Sequence, residues 1–85
     1  MSKLQARQYK ARIHINGNFV IGTYNTIEKA AIAYNKAVDM AHAHGIEKNY
    51  PENYIESISG KEYADIYTSV TVSNKYLQYL QQFDL

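Results

Sequence analysis

Tyr9-Lys10-Ala11-Arg12-Ile13-His14-Ile15-Asn16-Gly17-Asn18-Phe19-Val20-Ile21-Gly22-Thr23-Tyr24 reads as two alternating runs joined by Asn-Gly. Asn-Gly supplies the two residues that accept positive φ in a type I′ turn, whose twist suits a hairpin. Before it, Tyr9, Ala11, Ile13 and Ile15 alternate with Gln8, Lys10, Arg12 and His14. After it, Phe19 and Ile21 alternate with Asn18 and Val20. Successive strand residues point to opposite faces, so the apolar set shares a buried face. Lys10, Arg12, His14, Asn18 and Val20 then share the opposite, outer face. The spacing predicts antiparallel strands over about residues 9–15 and 18–23.

Gly22-Thr23-Tyr24 ends the second run, and a helix start follows. Asn25 or Thr26 can cap it, and Glu28 sits in the first turn near the positive end of the helix dipole. Ile27, Ala30, Ala31, Tyr34, Ala37, Val38 and Ala41 recur at three- and four-residue steps. They predict one face of a helix over about residues 26–44, stopped by Gly45. Because most of that face is Ala, the helix can approach the sheet closely.

Residues 46–58 look extended and irregular, and Pro51 excludes a helix through that point. Beyond Ser59-Gly60, the run Ile66-Tyr67-Thr68-Ser69-Val70-Thr71-Val72 is rich in strand formers. Ser73 can cap a last helix with Tyr76, Leu77, Leu80 and Phe83 on one stripe. The expected fold class is α+β: a small hairpin-based antiparallel sheet packed on one Ala-rich α-helix (residues 1–58), with a C-terminal strand/helix extension (residues 59–85). That extension either packs on the domain or serves a homodimer through residues 66–85. A two-stranded sheet is marginal in water, so residues 66–72, or another subunit, are expected to cover its free edge.

Eighty-five residues suffice for one domain. Nine Tyr and no Trp or Cys suit a thin core or a contact surface and exclude disulfides, Cys-based zinc sites and thiol catalysis. No apolar run approaches the roughly 20 residues of a membrane span, and residues 1–7 lack an apolar signal core. The expected location is the cytoplasm (that of a host cell if the chain is phage-encoded). The net charge of +1 conceals a split. Residues 1–24 carry Lys3, Arg7, Lys10 and Arg12 with no acid, or +4, whereas residues 25–85 sum to −3. Such asymmetry suggests one surface made for an anionic partner.

Phe19-Val20-Ile21-Gly22-Thr23-Tyr24-Asn25-Thr26-Ile27-Glu28-Lys29-Ala30-Ala31-Ile32-Ala33-Tyr34-Asn35-Lys36-Ala37 resembles the signature of the ethylene-responsive-factor, or APETALA, DNA-binding domain. In that family an apolar strand ends in Leu-Gly-Thr-Phe and is followed by Thr-Ala-Glu-Glu-Ala-Ala and Ala-Tyr-Asp. Asn49-Tyr50-Pro51 is similar to the Asn-Phe-Pro after the family's helix, so the resemblance covers about residues 8–54. It implies a three-stranded sheet laid into the major groove of DNA with a helix bracing its back. It assigns DNA contact to Lys10, Arg12, His14, Asn18 and Val20, with Lys3 and Arg7 adding backbone contacts from the N-terminal arm. This chain departs from the family in two respects. Only seven residues precede Gln8, where the family has its first strand, and Asn18 and Val20 stand where members usually carry Arg and Trp.

The resulting expectation is a small, non-enzymatic module for double-stranded DNA, a phage or mobile-element regulator with no cofactor and no metal. Its alternative is a phage-encoded inhibitor, anti-defence or anti-CRISPR in kind, that uses the same fold to bind a host protein or ribonucleoprotein. Catalytic residues are not expected, because His14 has no carboxylate near it in sequence. His42 and His44, two apart on a helix, point to different sides, which argues against a shared metal.

Overall fold

The computed structural model describes residues 8–15, 17–46, 50, 52 and 55–82, and among them it forms a hairpin, a long helix and two shorter helices. In chain order they are β1 (Tyr9–His14), β2 (Asn18–Tyr24), α1 (Ile27–Ala43), α2 (Gly60–Ser69) and α3 (Asn74–Gln81). The strands form one two-stranded antiparallel sheet, and the fold is α+β.

The hairpin register corrects the expected two-residue turn. The ladder runs His14↔Asn18, Ile13↔Phe19, Arg12↔Val20, slips by one residue, and continues Ala11↔Gly22, Lys10↔Thr23, Tyr9↔Tyr24. Directly opposed residues share a face. A two-residue turn would have set Ile15 opposite Asn18 and mixed the apolar and polar sets. Instead the ladder closes at His14 and Asn18, and Gly17 takes φ +115°, a value that suits glycine. Asn16 lies outside the described residues. The hydrophobic pattern decides the register, and the connection conforms to it.

Ile21 is the extra residue of the resulting β-bulge and is fully buried. Beyond the bulge, Thr23 faces outward opposite Lys10, and Tyr24 packs against the core. Tyr24 reaches back across Gly22: a Cβ there would collide with the Tyr24 hydroxyl and lie 2.8 Å from Cζ. The same hydroxyl donates to the Thr71 carbonyl at 2.6 Å.

Thr26 caps α1, its hydroxyl accepting from the Lys29 amide at 3.0 Å. The helix closes on Gly45 (φ +89°), with the Gly45 amide bonded to the His42 carbonyl and the Ile46 amide to the Ala41 carbonyl, each at 3.0 Å. That pair of bonds satisfies carbonyls left over at the helix end and turns Ile46 into the core. The expected stripe needs correction at one end. Ile27 is 59% exposed, whereas Ile32 and Asn35, which lie off the stripe, are buried. The cause is a second contact face, because α2 packs along the other side of α1. Asn35 Nδ2 donates to the Tyr63 hydroxyl at 3.0 Å, and Lys36 Nζ donates to the carbonyls of Tyr67 (2.9 Å) and Val70 (3.0 Å). Lys36 thus supplies the cation that the last turn of α2 lacks, with its ammonium 5.5 Å from the Tyr67 ring centre.

The expected strand at residues 66–72 is not formed. Ile66, Tyr67, Thr68 and Ser69 complete α2, and only the residues after them are extended. Ser59 starts that helix by accepting from the Glu62 amide at 3.1 Å, half of a Ser-x-x-Glu capping box. The extended link reaches β2 through one residue. The Ser73 amide donates to the Ile21 carbonyl at 2.7 Å and Ser73 Oγ to the Val20 carbonyl at 2.9 Å. Its hydroxyl also accepts from the Tyr76 amide, capping α3. The β2 edge is therefore held at its bulge by a serine rather than by a third strand.

From α3, Tyr76 and Leu80 enter the core and are fully buried, while Leu77 is half-buried and Phe83 lies outside the described residues. The core joins Ala11, Ile13, Ile15 and Ile21 of the hairpin to Ala33, Ala37, Val38 and Ala41 of α1, and to Val70, Tyr76 and Leu80. Tyr76 Oη donates to the Ala37 carbonyl at 2.6 Å, and its ring meets Phe19 edge-on at 6.2 Å.

Two substitutions test this packing by thermal or urea denaturation. Ala37→Leu is expected to overpack the contact and cost about 1–3 kcal/mol. Tyr76→Ala is expected to cost about 3–5 kcal/mol, whereas Tyr76→Phe, which loses only the hydroxyl bond, should cost about 1 kcal/mol. Wild-type stability for either Ala37→Leu or Tyr76→Ala would contradict the core as described.

Candidate nucleic-acid interface

The register that buries Ile13 against Phe19 puts Lys10, Arg12 and His14 at alternate positions along β1, all exposed. Their partners on β2 are Thr23, Val20 and Asn18, so the outer face carries six side chains in three cross-strand pairs. No carboxylate belongs to it, because the first acid in the chain is Glu28. Successive outward residues on one strand are about 7 Å apart, so the two cations and the imidazole of β1 form a single row. His14 Nδ1 lies 3.1 Å from Asn18 Oδ1, a contact that joins the imidazole to the carboxamide of the end pair. Val20 is 43% exposed between them.

The structure therefore brings five of the expected contact residues onto one surface: Lys10, Arg12, His14, Asn18 and Val20. Lys3 and Arg7 lie outside the described residues. Thr23 was missed by simple alternation, since the bulge at Ile21 turns it outward. The surface continues beyond both ends of β2. At one end a cup of about 510 Å³ is lined by Thr23, Asn25, Lys29 and Thr71 together with Tyr24 and Val70. At the other a cleft of about 720 Å³ separates Val20 and Asn18 from Lys75 and Gln78 of α3. Its floor is the Phe19–Tyr79 ring pair, with centres 4.5 Å apart.

Acidic groups gather elsewhere. Glu28 accepts from the Ser57 hydroxyl at 3.1 Å. Asp39 accepts from the Tyr67 hydroxyl at 2.7 Å, and burial together with that bond pushes the Tyr67 pKa up to about 12. Glu52 hydrogen-bonds the Asp39 carboxyl, which with burial and the Asp39 charge raises the Glu52 pKa above its ordinary value, although His42 pulls it down. Among the described residues no cluster of three or more His, Asp or Glu is placed to hold a metal ion. No helix among them is long and apolar enough to cross a membrane.

Comparison with protein-family models, with curated proteins and with solved structures finds no match to this chain.

Two predictions follow from the geometry of these groups. Lys10→Ser together with Arg12→Ser is expected to change stability by no more than about 0.5 kcal/mol, since both side chains are exposed. A larger loss in denaturation would mean that the row is structural. Glu52 gives the second. A carboxyl whose pKa is raised on folding binds its proton more tightly in the folded state, so its stabilising contribution is full at low pH and is lost as pH rises through the raised value. The difference in melting temperature between wild type and Glu52→Gln should accordingly move against wild type as pH rises above about 4. A difference that stays constant with pH would show that the Asp39–Glu52 bond is not formed.

Proposed function

We propose that the chain is a double-stranded-DNA-binding module that lays the outer face of its hairpin into the major groove. The observation that carries this reading is the acid-free row Lys10, Arg12 and His14 on one exposed strand face, opposed by Thr23, Val20 and Asn18. The major groove of B-DNA admits a two-stranded β-ribbon. In that position Lys10 neutralises phosphate, and Arg12 reaches either phosphate or the O6 and N7 acceptors of guanine. The exposed carboxamide of Asn18 suits hydrogen bonding to base edges, and Val20 suits a thymine methyl group. The resemblance of residues 8–54 to the ethylene-responsive-factor domain supports the same face, and α1 braces it from behind.

The proposed role is binding without catalysis, as a phage or mobile-element regulator. One observation favours the alternative, an inhibitor of a host protein or ribonucleoprotein. Val20 is substantially exposed beside an aromatic-floored cleft, at a place where duplex binding calls for cations.

Fluorescence anisotropy with a random-sequence duplex across a salt series separates the two. About three neutralised phosphates give a log–log slope near −3, so binding should be weak and steeply lost with salt. The Lys10→Ser/Arg12→Ser double variant should abolish it, while Lys61→Ser, on exposed α2, should leave it unchanged. Equal binding by the double variant would place the contact elsewhere. An absence of duplex binding at low salt would favour the protein-partner alternative.

A further inference from the structure

We infer that the outer edge of β1 docks an extended strand of a protein partner whose side chains alternate between acidic and apolar. A two-stranded sheet has two edges, and they are treated differently here. Ser73 occupies the β2 edge at the carbonyls of Val20 and Ile21. No strand among the described residues pairs with the other edge of β1. At its end the His14 carbonyl accepts from the Tyr50 hydroxyl at 2.6 Å. Along the rest, every second residue turns its N–H and C=O away from β2, and such a row is a template for strand addition.

A groove runs beside this edge. A cleft of about 320 Å³ lies between β1 and the first turns of α1, lined by Tyr9, Ala11, Ile27, Ala30 and Tyr34. Ile27 opens onto it and is the most exposed large apolar residue described, at 59%. An added strand would place alternate side chains over this groove and the others beside Lys10 and Arg12. The first set must be apolar and small enough to lie against Ala11 and Ala30. The second set meets two cations.

Charge selects the occupant. A second copy pairing antiparallel through β1, with its apolar side kept over the groove, sets Lys10 against Arg12 or Arg12 against itself in the two registers that overlap the strand most fully. Like charges directly opposed destabilise a strand pair. An acidic strand converts the same positions into opposite-charge pairs and steers its own approach. The inference does not rest on DNA binding, since the strand lies beside the outer face rather than on it.

The test uses the isotope-labelled full chain and a synthetic nine-residue peptide of alternating Glu and Val. Alternate backbone nitrogens of the peptide are methylated so that only one of its edges can pair. Titration followed by NMR should shift amides within residues 9–13 and slow their hydrogen exchange. A Lys-for-Glu peptide, and the exposed-site variant Ile27→Glu with the original peptide, should each bind at least about tenfold more weakly. Four results would overturn the proposal. These are equal binding of both peptides, or perturbation centred on β2 or α3. The third is edge amides already protected in dilute, peptide-free chain, which would mean coverage by the chain itself. The fourth is protection that grows with protein concentration as a dimer forms.

Discussion

The fold hinges on one buried side chain. A hairpin of two strands and an alanine-faced helix bury too little between them to close a core, because Ala33, Ala37 and Ala41 bring the helix near but contribute few atoms. Tyr76 fills the space they leave. Its ring meets Phe19 of β2, and its hydroxyl is taken by the Ala37 carbonyl of α1, so a single residue of α3 ties sheet to helix. The hydroxyl cannot lie in that apolar setting without a partner, and burial raises its pKa far above the ordinary tyrosine value. The bond therefore fixes where α3 sits, and Ser73, three residues earlier, fixes where it begins.

That anchoring explains the treatment of the sheet. The hairpin carries a register slip, and a bulge leaves backbone groups on the bulged strand without ladder partners. The Val20 and Ile21 carbonyls flank the slip, and both are met by Ser73. The bulge permits two demands to hold at once. Ile13 opposes Phe19 near the turn, and Tyr9 opposes Tyr24 at the far end, so both pairs face inward although residue counting from either end would reverse the other. The outward row of Lys10, Arg12 and His14 on the unbulged strand is a by-product of this arrangement.

Much of this was legible in the residues themselves. Alternation placed the outer face of the hairpin, and the Thr26 cap and Gly45 stop bounded α1, because these signals depend on neighbours one to four residues away. The Asn-Gly signature misled, since turn preference is worth less than burying Ile13, Ile15 and Phe19 on one side. Helix α2 was hidden for two reasons. Its first residue is Gly60, and its last turns carry Ile66 and Thr68, which favour strands locally. Its stability comes from the Ser59 cap, whose Ser-x-x-Glu pattern was readable, and from Lys36 at its far end, which was not. A lysine on α1 reaching carbonyls more than thirty residues later is a tertiary fact that no local window contains. Ile27 shows the same limit from the other side: it fits the stripe, but nothing among the described residues covers it.

The placement of α2 also gives the charge split a shape. It packs on α1 rather than on the sheet, so Glu62 and Asp65 are held away from the hairpin by the thickness of a helix. Asp39 is bound to Tyr67 on that same side, and Glu52 to Asp39. A chain of net charge +1 thereby presents a face with no acid at one end and, among the described residues, most of its carboxylates at the other. Two charges about 10 Å or more apart on a surface are largely screened at physiological salt, so the acids do little to cancel Lys10 and Arg12 locally. Their effect is at longer range and lower salt, where a dipolar molecule turns its basic face toward an anionic surface before contact. Low net charge and a usable cationic face are compatible in this chain because the third helical layer keeps the two apart.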